Sequence, residues 1–179
     1  KNLTMTKHIK KCRNCSNKSF INLFSLGKLK FTGKFPQHKE KIPYGNLTLV
    51  MCKSCKLVQL DGIFNMKYLY NKDYGYRTGI NTTMSNHVKH VVIKLSQSAK
   101  LKKNDAVLDI ASNDGTLLNN YNKKIITWGM DPVLKIFKNE YKKINYKISN
   151  FFEYKSILKI NKKVKFKAIT ALSVFYDLE

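Results

Sequence analysis

Arginine is almost missing. Of 34 basic residues only Arg13 and Arg77 are arginine, set against 11 acids and a net charge of +23. Nucleic-acid readers lean on arginine for bidentate contacts to bases and phosphates. Here lysine is spread along the whole chain beside abundant Asn and Ile, which fits a composition bias and a solvated surface better than a binding stripe. No run of about 18 apolar residues exists, so no transmembrane helix is expected, and no signal peptide is visible. Cysteine is scarce, and its four copies are not scattered as in a secreted disulfide framework, so a reducing cytoplasm is the expected setting. What is present is enough for a core: 43% of 179 residues are hydrophobic, room for one ordinary domain or for a small module and part of a larger one. A start at Lys1 and a stop at Glu179 just after a strand-like segment read as a piece of a longer protein.

The cysteines come as two close pairs, "CRNC" (Cys12, Cys15) and "CKSC" (Cys52, Cys55). Two residues between cysteines let a tight knuckle aim both sulfurs at one point. Two knuckles supply four thiolates, the closed tetrahedral shell of structural zinc. Lys11, Lys53 and Lys56 flank the pairs and offset the charge of a four-thiolate centre. The intervening "SFINLFSLGKLKF" and "NLTLVM", and the "KLVQL" that leaves the second knuckle, look like strands, so a ribbon is expected. A closed shell leaves no open coordination position, and such a metal folds its module without catalysing. The bland alternative is two disulfides or four idle thiols.

Residues 68 to 76 crowd four tyrosines, Tyr68, Tyr70, Tyr74 and Tyr76. Met84, His87, Val88, Val91, Val92, Leu95 and Ala99 then recur at three- and four-residue steps, which predicts an amphipathic helix over roughly 82–100 with a Thr or Asn start. The helix explains the apolar residues. It does not explain "DYGYRTG", a polar aromatic loop with two glycines, which is a candidate lid or substrate wall as much as a set of packing tyrosines. From residue 105 the pattern alternates: strand "AVLDI", helix "GTLLNNY", strand "IITWGMD", helix "VLKIFKNEY", strand "NYKI", then "SNFFEY" and strand "FKAITAL". Alternation with short connections predicts a Rossmann-like parallel sheet with helices on its faces. The expected divisions are 1–66, 67–103 and 104–179.

Ligands on such sheets bind beyond the carboxyl ends of the strands. Those ends carry Asp109 to Gly115, Asp131, Asn150 with Phe151, and Ser173 to Asp177. A dinucleotide fold would want G-x-G-x-x-G, but this loop has only Gly115, with Asp109 and Asp114 where a pyrophosphate would be repelled. An amino-acid head group suits it better. Backbone at Ala111 and Gly115 can approach a carboxylate closely, an acid nearby meets an ammonium, and Ser112 and Asn113 between them are cofactor-binding candidates of the same loop. Asp131 can accept from both hydroxyls of a ribose, while Asn150 and Phe151 could hold a purine. Together these groups describe S-adenosylmethionine. The simpler reading makes Asp109 a helix-capping acid and Asp131 a turn residue before Pro132.

"CRNC", "LVMCKSCKLVQL", "YGYRTG" leading to "MSNH", "IASNDGTLL", "GMDP" and "NFF" follow one another along nearly the whole chain. In this order they resemble the zinc-containing sugar C-methyltransferases and their relatives. The resemblance implies a small four-cysteine zinc domain, the N-terminal part of a class I S-adenosylmethionine domain, and a further carboxyl-terminal domain. It implies methyl transfer to a carbon beside a ketone on a nucleotide-linked sugar, after a general base removes the alpha proton. The family's Glu-His pair lies further downstream than this chain reaches. Tyr76 matches one of the family's active-site tyrosines, and Tyr74 sits in the same loop. After the fourth strand this chain reads "ALSVFYDLE", with Asp177 where the sugar enzymes tend to have a histidine, a departure that touches the acceptor more than the fold. The competing readings are a zinc-ribbon protein that binds RNA, an inactive truncated remnant, and methylation of a different small acceptor.

Overall fold

The computed structural model describes residues 6–30 and 41–174, so Asp177 lies outside the described residues. The chain divides into two compact units between Gly75 and Tyr76. The segment read as 67–103 is therefore shared: its first tyrosines belong to the amino-terminal unit, and its helix to the carboxyl-terminal one.

The amino-terminal unit contains strands β1 (Thr6–His8), β2 (Phe20–Lys30), β3 (Tyr44–Cys52), β4 (Val58–Leu60) and β5 (Gly62–Phe64). β2, β3 and β4 form an antiparallel sheet in that order, and β1 pairs antiparallel with β5. The expected strands are present. β1 and β5, three residues each, were not foreseen. Register aligns Ile21, Met51 and Val58 across the sheet, and Phe24, Leu49 and Leu60 likewise, while Val50 and Gln59 turn to the other face and are buried. This is the alternation that a half-buried pleated sheet imposes.

The carboxyl-terminal unit contains α1 (Thr82–Ser98), β6 (Ala106–Ile110), β7 (Ile126–Met130), β8 (Tyr146–Ile148), α2 (Tyr154–Ile160) and β9 (Phe166–Thr170). The Asn81 side chain accepts from the Met84 N–H, capping α1, which buries Val88 and Val92. The four strands are parallel in the order β8-β7-β6-β9, so the chain builds outward on one side of β6 and then crosses to the other. One sheet face carries Ala106, Leu108, Trp128, Met130 and Ile148 against Ile157 of α2. Trp128 stacks on Tyr146 with ring centroids 3.9 Å apart. On the other face Gly129 lies beside Asp109, and a Cβ there would come within 2.9 Å of Leu118 and Tyr141 and 3.0 Å of the Ser112 hydroxyl. Glycine is what lets these groups close onto the strand.

Two expected helices are absent. "GTLLNNY" makes only a 3-10 turn, Leu118–Asn120, and "VLKIFKNEY" forms successive turns. In the first, Asn120 donates its side-chain amide to the Thr116 carbonyl and Asn119 to the Glu140 carbonyl. Such side-chain bonds compete with the helical ladder. In the second, three-residue backbone steps replace it, with Leu134 N–H to Asp131, Ile136 to Val133 and Glu140 to Phe137. The apolar spacing is still used, since Val133, Leu134, Phe137 and Tyr141 are all buried. Among the described residues no helix is long and apolar enough to cross a membrane.

Candidate metal centre and loop site

The two knuckles fold alike. In each, the first cysteine's carbonyl accepts from the residue four positions on (Ser16 to Cys12, 2.9 Å; Lys56 to Cys52, 3.1 Å). Its own N–H donates to the carbonyl five positions on (Asn17, 2.8 Å; Leu57, 2.9 Å). The residue after each pair, Ser16 or Lys56, is left-handed, with φ of 60° and 62°. These tight turns bring the sulfurs together. Cys12 Sγ lies 3.6 Å from Cys55 Sγ, Cys15 Sγ lies 3.6 Å from Cys52 Sγ, and all four are within 4.8 Å of one another. Zinc–sulfur bonds of about 2.3 Å give tetrahedron edges of about 3.8 Å. The donors therefore fit zinc in both number and spacing.

The protein prepares these thiols unequally. The Cys15 backbone N–H, with help from the Gln59 amide, holds Cys12 down to about 6. The Leu57 N–H keeps Cys55 below its ordinary value, while burial pushes Cys52 up to about 11. A dication at the centre would favour the thiolate at every position. Gln59, not foreseen from sequence, donates to Cys12 Sγ at 3.2 Å and accepts from the Arg13 backbone N–H at 3.2 Å and its guanidinium at 3.3 Å. The guanidinium also donates to the Leu60 carbonyl at 2.7 Å. One of the chain's two arginines thus ties the first knuckle to β4.

The centre defined this way is a four-cysteine cluster positioned to hold a zinc ion. Residues 12–70 match the family model Methyltransf_13, whose description is "Putative zinc binding domain", and all four cysteines fall inside the match. No curated protein matches the chain.

The second candidate site is the loop after β6. Ala111, Asn113 and Gly115 are left-handed, with φ of 57°, 49° and 75°. At this φ a side chain on Gly115 would be strained, and its Cβ would also press on the Ile144 Cδ1 at 2.7 Å. The N–H groups of Ala111 and Ser112 donate to the Met130 carbonyl at 2.8 and 3.3 Å. Asp131 accepts from the Asn113 N–H with one oxygen and from the Val133 N–H with the other, both at 2.8 Å. The Asp131 N–H donates to the Ile148 carbonyl, which brings the end of β8 alongside; Asn150, exposed, and Phe151, half-buried, follow it. Ser112 Oγ lies 2.8 Å from Tyr141 OH, which donates to the Asn113 carbonyl at 2.6 Å. Tyr141 was missed from sequence, where it read as the end of a helix.

Asp109 is buried, and Thr170 of β9 donates to its carboxylate at 2.6 Å. Burial pushes Asp109 up to about 7 and Asp131 up to about 6. Burial also raises the Tyr121 hydroxyl to about 12, with Asp109 nearby adding to the shift. Tyr76 is half-exposed, and its carbonyl accepts from the Asn113 side-chain amide at 3.1 Å. The structure thus draws Asp109, Ser112, Asn113, Gly115 and Asp131 into one bonded neighbourhood at the carboxyl ends of β6 and β7. Within it the side chains of Ser112 and Asn113 are engaged by protein partners.

Proposed function

We propose that this chain is the zinc-domain and cofactor-binding portion of an S-adenosylmethionine-dependent methyltransferase, acting by C-methylation on a nucleotide-linked keto sugar or a related small molecule. The observation carrying this reading is the joint one: a domain of a methyltransferase-associated family followed by a parallel sheet ordered β8-β7-β6-β9. That order has a switch point beside β6, where doubly wound sheets take their ligands. The donor set at the strand ends suits the cofactor. Asp131 keeps acceptor capacity for ribose hydroxyls beyond its two backbone bonds. Two buried acids with raised pKa values, Asp109 and Asp131, would gain from a cationic ammonium and from hydroxyl donors. Asn150 and Phe151 supply an amide and an aromatic face beyond β8 for a base.

When bound, the cofactor supplies an electrophilic methyl group on sulfonium. The chain's own residues orient it: the loop carrying the left-handed residues Ala111, Asn113 and Gly115 frames the head group, and Asp131 fixes the ribose edge. Tyr76 is the candidate for contact with the acceptor. The setting is a reducing cytoplasm, the partner a small molecule.

Calorimetry with S-adenosylhomocysteine tests this. The expected result is one site per chain, weakened about tenfold or more in Asp131→Ala, the loss of a charge-assisted pair of hydrogen bonds. No heat with the wild-type chain, or equal affinity in the variant, would reject the reading.

A further inference from the structure

We infer that Arg77, together with Gly79, is a positioning residue that fixes the tyrosine-bearing segment 76–80 onto the 111–115 loop before any ligand binds. The segment is then a standing wall of the site and not a lid. The inference rests on the cofactor reading above for its functional meaning.

The anchoring is dense for five residues. Thr78 donates its N–H at 2.9 Å and its hydroxyl at 3.3 Å to Asn113 Oδ1, while the other end of the same amide donates to the Tyr76 carbonyl. Gly79 N–H donates to Asp114 Oδ2 at 2.9 Å. Asp114 is almost wholly buried and accepts further from the Thr116 hydroxyl at 2.6 Å and the Thr116 N–H at 3.2 Å. Arg77 joins two acids from different loops. Its Nε lies 3.6 Å from Asp114 Oδ2, an ion-pair contact without a hydrogen bond, its Nη2 lies 3.1 Å from Glu140 Oε1, and its guanidinium sits over the Phe137 ring at 5.3 Å. Asp114 is a buried acid, and Arg77 is the cation beside it. A planar fork on an aromatic face does this where lysine cannot do all three tasks. The chain uses lysine nearly everywhere else, so arginine here is informative.

Gly79 completes the fit sterically. A Cβ there would sit 2.6 Å from Thr116 Oγ1 and 2.9 Å from Asp114 Oδ2, atoms already bonded to neighbours. Asp114 and Asn113 therefore spend their side chains on holding the wall. Asp114, an acid in the loop that sequence alone would offer to a ligand ammonium, is a scaffold group.

Hydrogen exchange on the full chain tests this, with and without S-adenosylhomocysteine. The Thr78 and Gly79 amides are expected to be protected in the ligand-free wild type. In Arg77→Gln they should exchange about tenfold faster, the cost of one partly buried charged contact, while α1 amides stay unchanged. Arg77→Lys should recover part of the protection. Gly79→Ala should loosen the same amides with all charges kept, and it decides the matter if Arg77→Gln fails to fold. S-adenosylhomocysteine affinity should fall in Arg77→Gln and return in part in Arg77→Lys. Free exchange of these amides in the ligand-free wild type, with protection only on adding ligand, overturns the inference. So does unaltered exchange in both Arg77→Gln and Gly79→Ala, or unaltered affinity in a loosened Arg77→Gln. Failure of the wild type to bind the probe rejects the cofactor reading instead, and the ligand-free exchange comparison still decides whether the wall stands.

Discussion

The two units of this chain hold themselves together by different means. Among the described residues 23 apolar side chains are buried; of these Ile9, Cys12, Val50 and Cys52 lie in the amino-terminal unit, and two of those are cysteines of the candidate metal site. The other 19 fill the sheet unit. β2 illustrates the poverty of the first: Ile21, Leu23, Phe24, Leu26 and Leu29 are all exposed. A unit with so little buried surface needs another source of folding free energy, and four convergent sulfurs provide the place for one.

The sharpest way to break this comparison is to remove the metal. Zinc in sites of this kind contributes on the order of 10 kcal/mol to folding. Chelation, or Cys52→Ser, is expected to abolish amide protection in β3 and β4 while β6 and β7 keep theirs. Exchange mass spectrometry beside a colorimetric zinc assay checks it, and a ribbon that stays protected after the metal is gone would sink the contrast. The complementary blow is Trp128→Ala. Emptying that fully buried position should cost the sheet unit about 3–5 kcal/mol, read by far-UV circular dichroism in urea, with zinc content unchanged. Concurrent loss of zinc would mean that the two units do not stand on separate footings.

A further expected effect concerns pH. Asp109 rises to about 7 in the folded chain because burial disfavours its charge. Between about pH 4 and that value the unfolded chain has released this proton and the folded chain keeps it, so stability falls as pH rises and levels off above. Asp131, raised to about 6, acts in the same direction. Asp109→Asn should flatten the decline and stabilise the sheet unit at pH 7 to 8. Urea midpoints measured from acid to neutral pH check this, and an unchanged slope would show that the acid ionises freely.

Much of this was legible. Two CxxC pairs carry their geometry in their spacing, because a knuckle is local. "AVLDI" and "IITWGM" read as strands because both of their faces are buried, which leaves a mostly apolar run broken only by Asp109 and Thr127. The helix at 82–98 was legible from its cap and its period. The turns at 116–120 and 133–141 were not, because their apolar spacing is helical even though asparagine amides and three-residue backbone steps take the bonds. β1 and β5 are too short to show a period. At the site, the positions of Asp109, Gly115 and Asp131 were readable from strand ends. The tie from Gln59 to Cys12, from Tyr141 to Ser112 and from Arg77 to Asp114 spans between 29 and 47 positions, and nothing local in the sequence announces such contacts.

The chain has a single tryptophan, and it sits at the centre of the parallel sheet, stacked on Tyr146. Its ultraviolet emission is therefore a built-in reporter for one unit alone. A fluorescence melt would record the sheet coming apart and stay blind to a ribbon that had already lost its ion. A sample could thus look intact by the commonest optical assay with half its architecture gone.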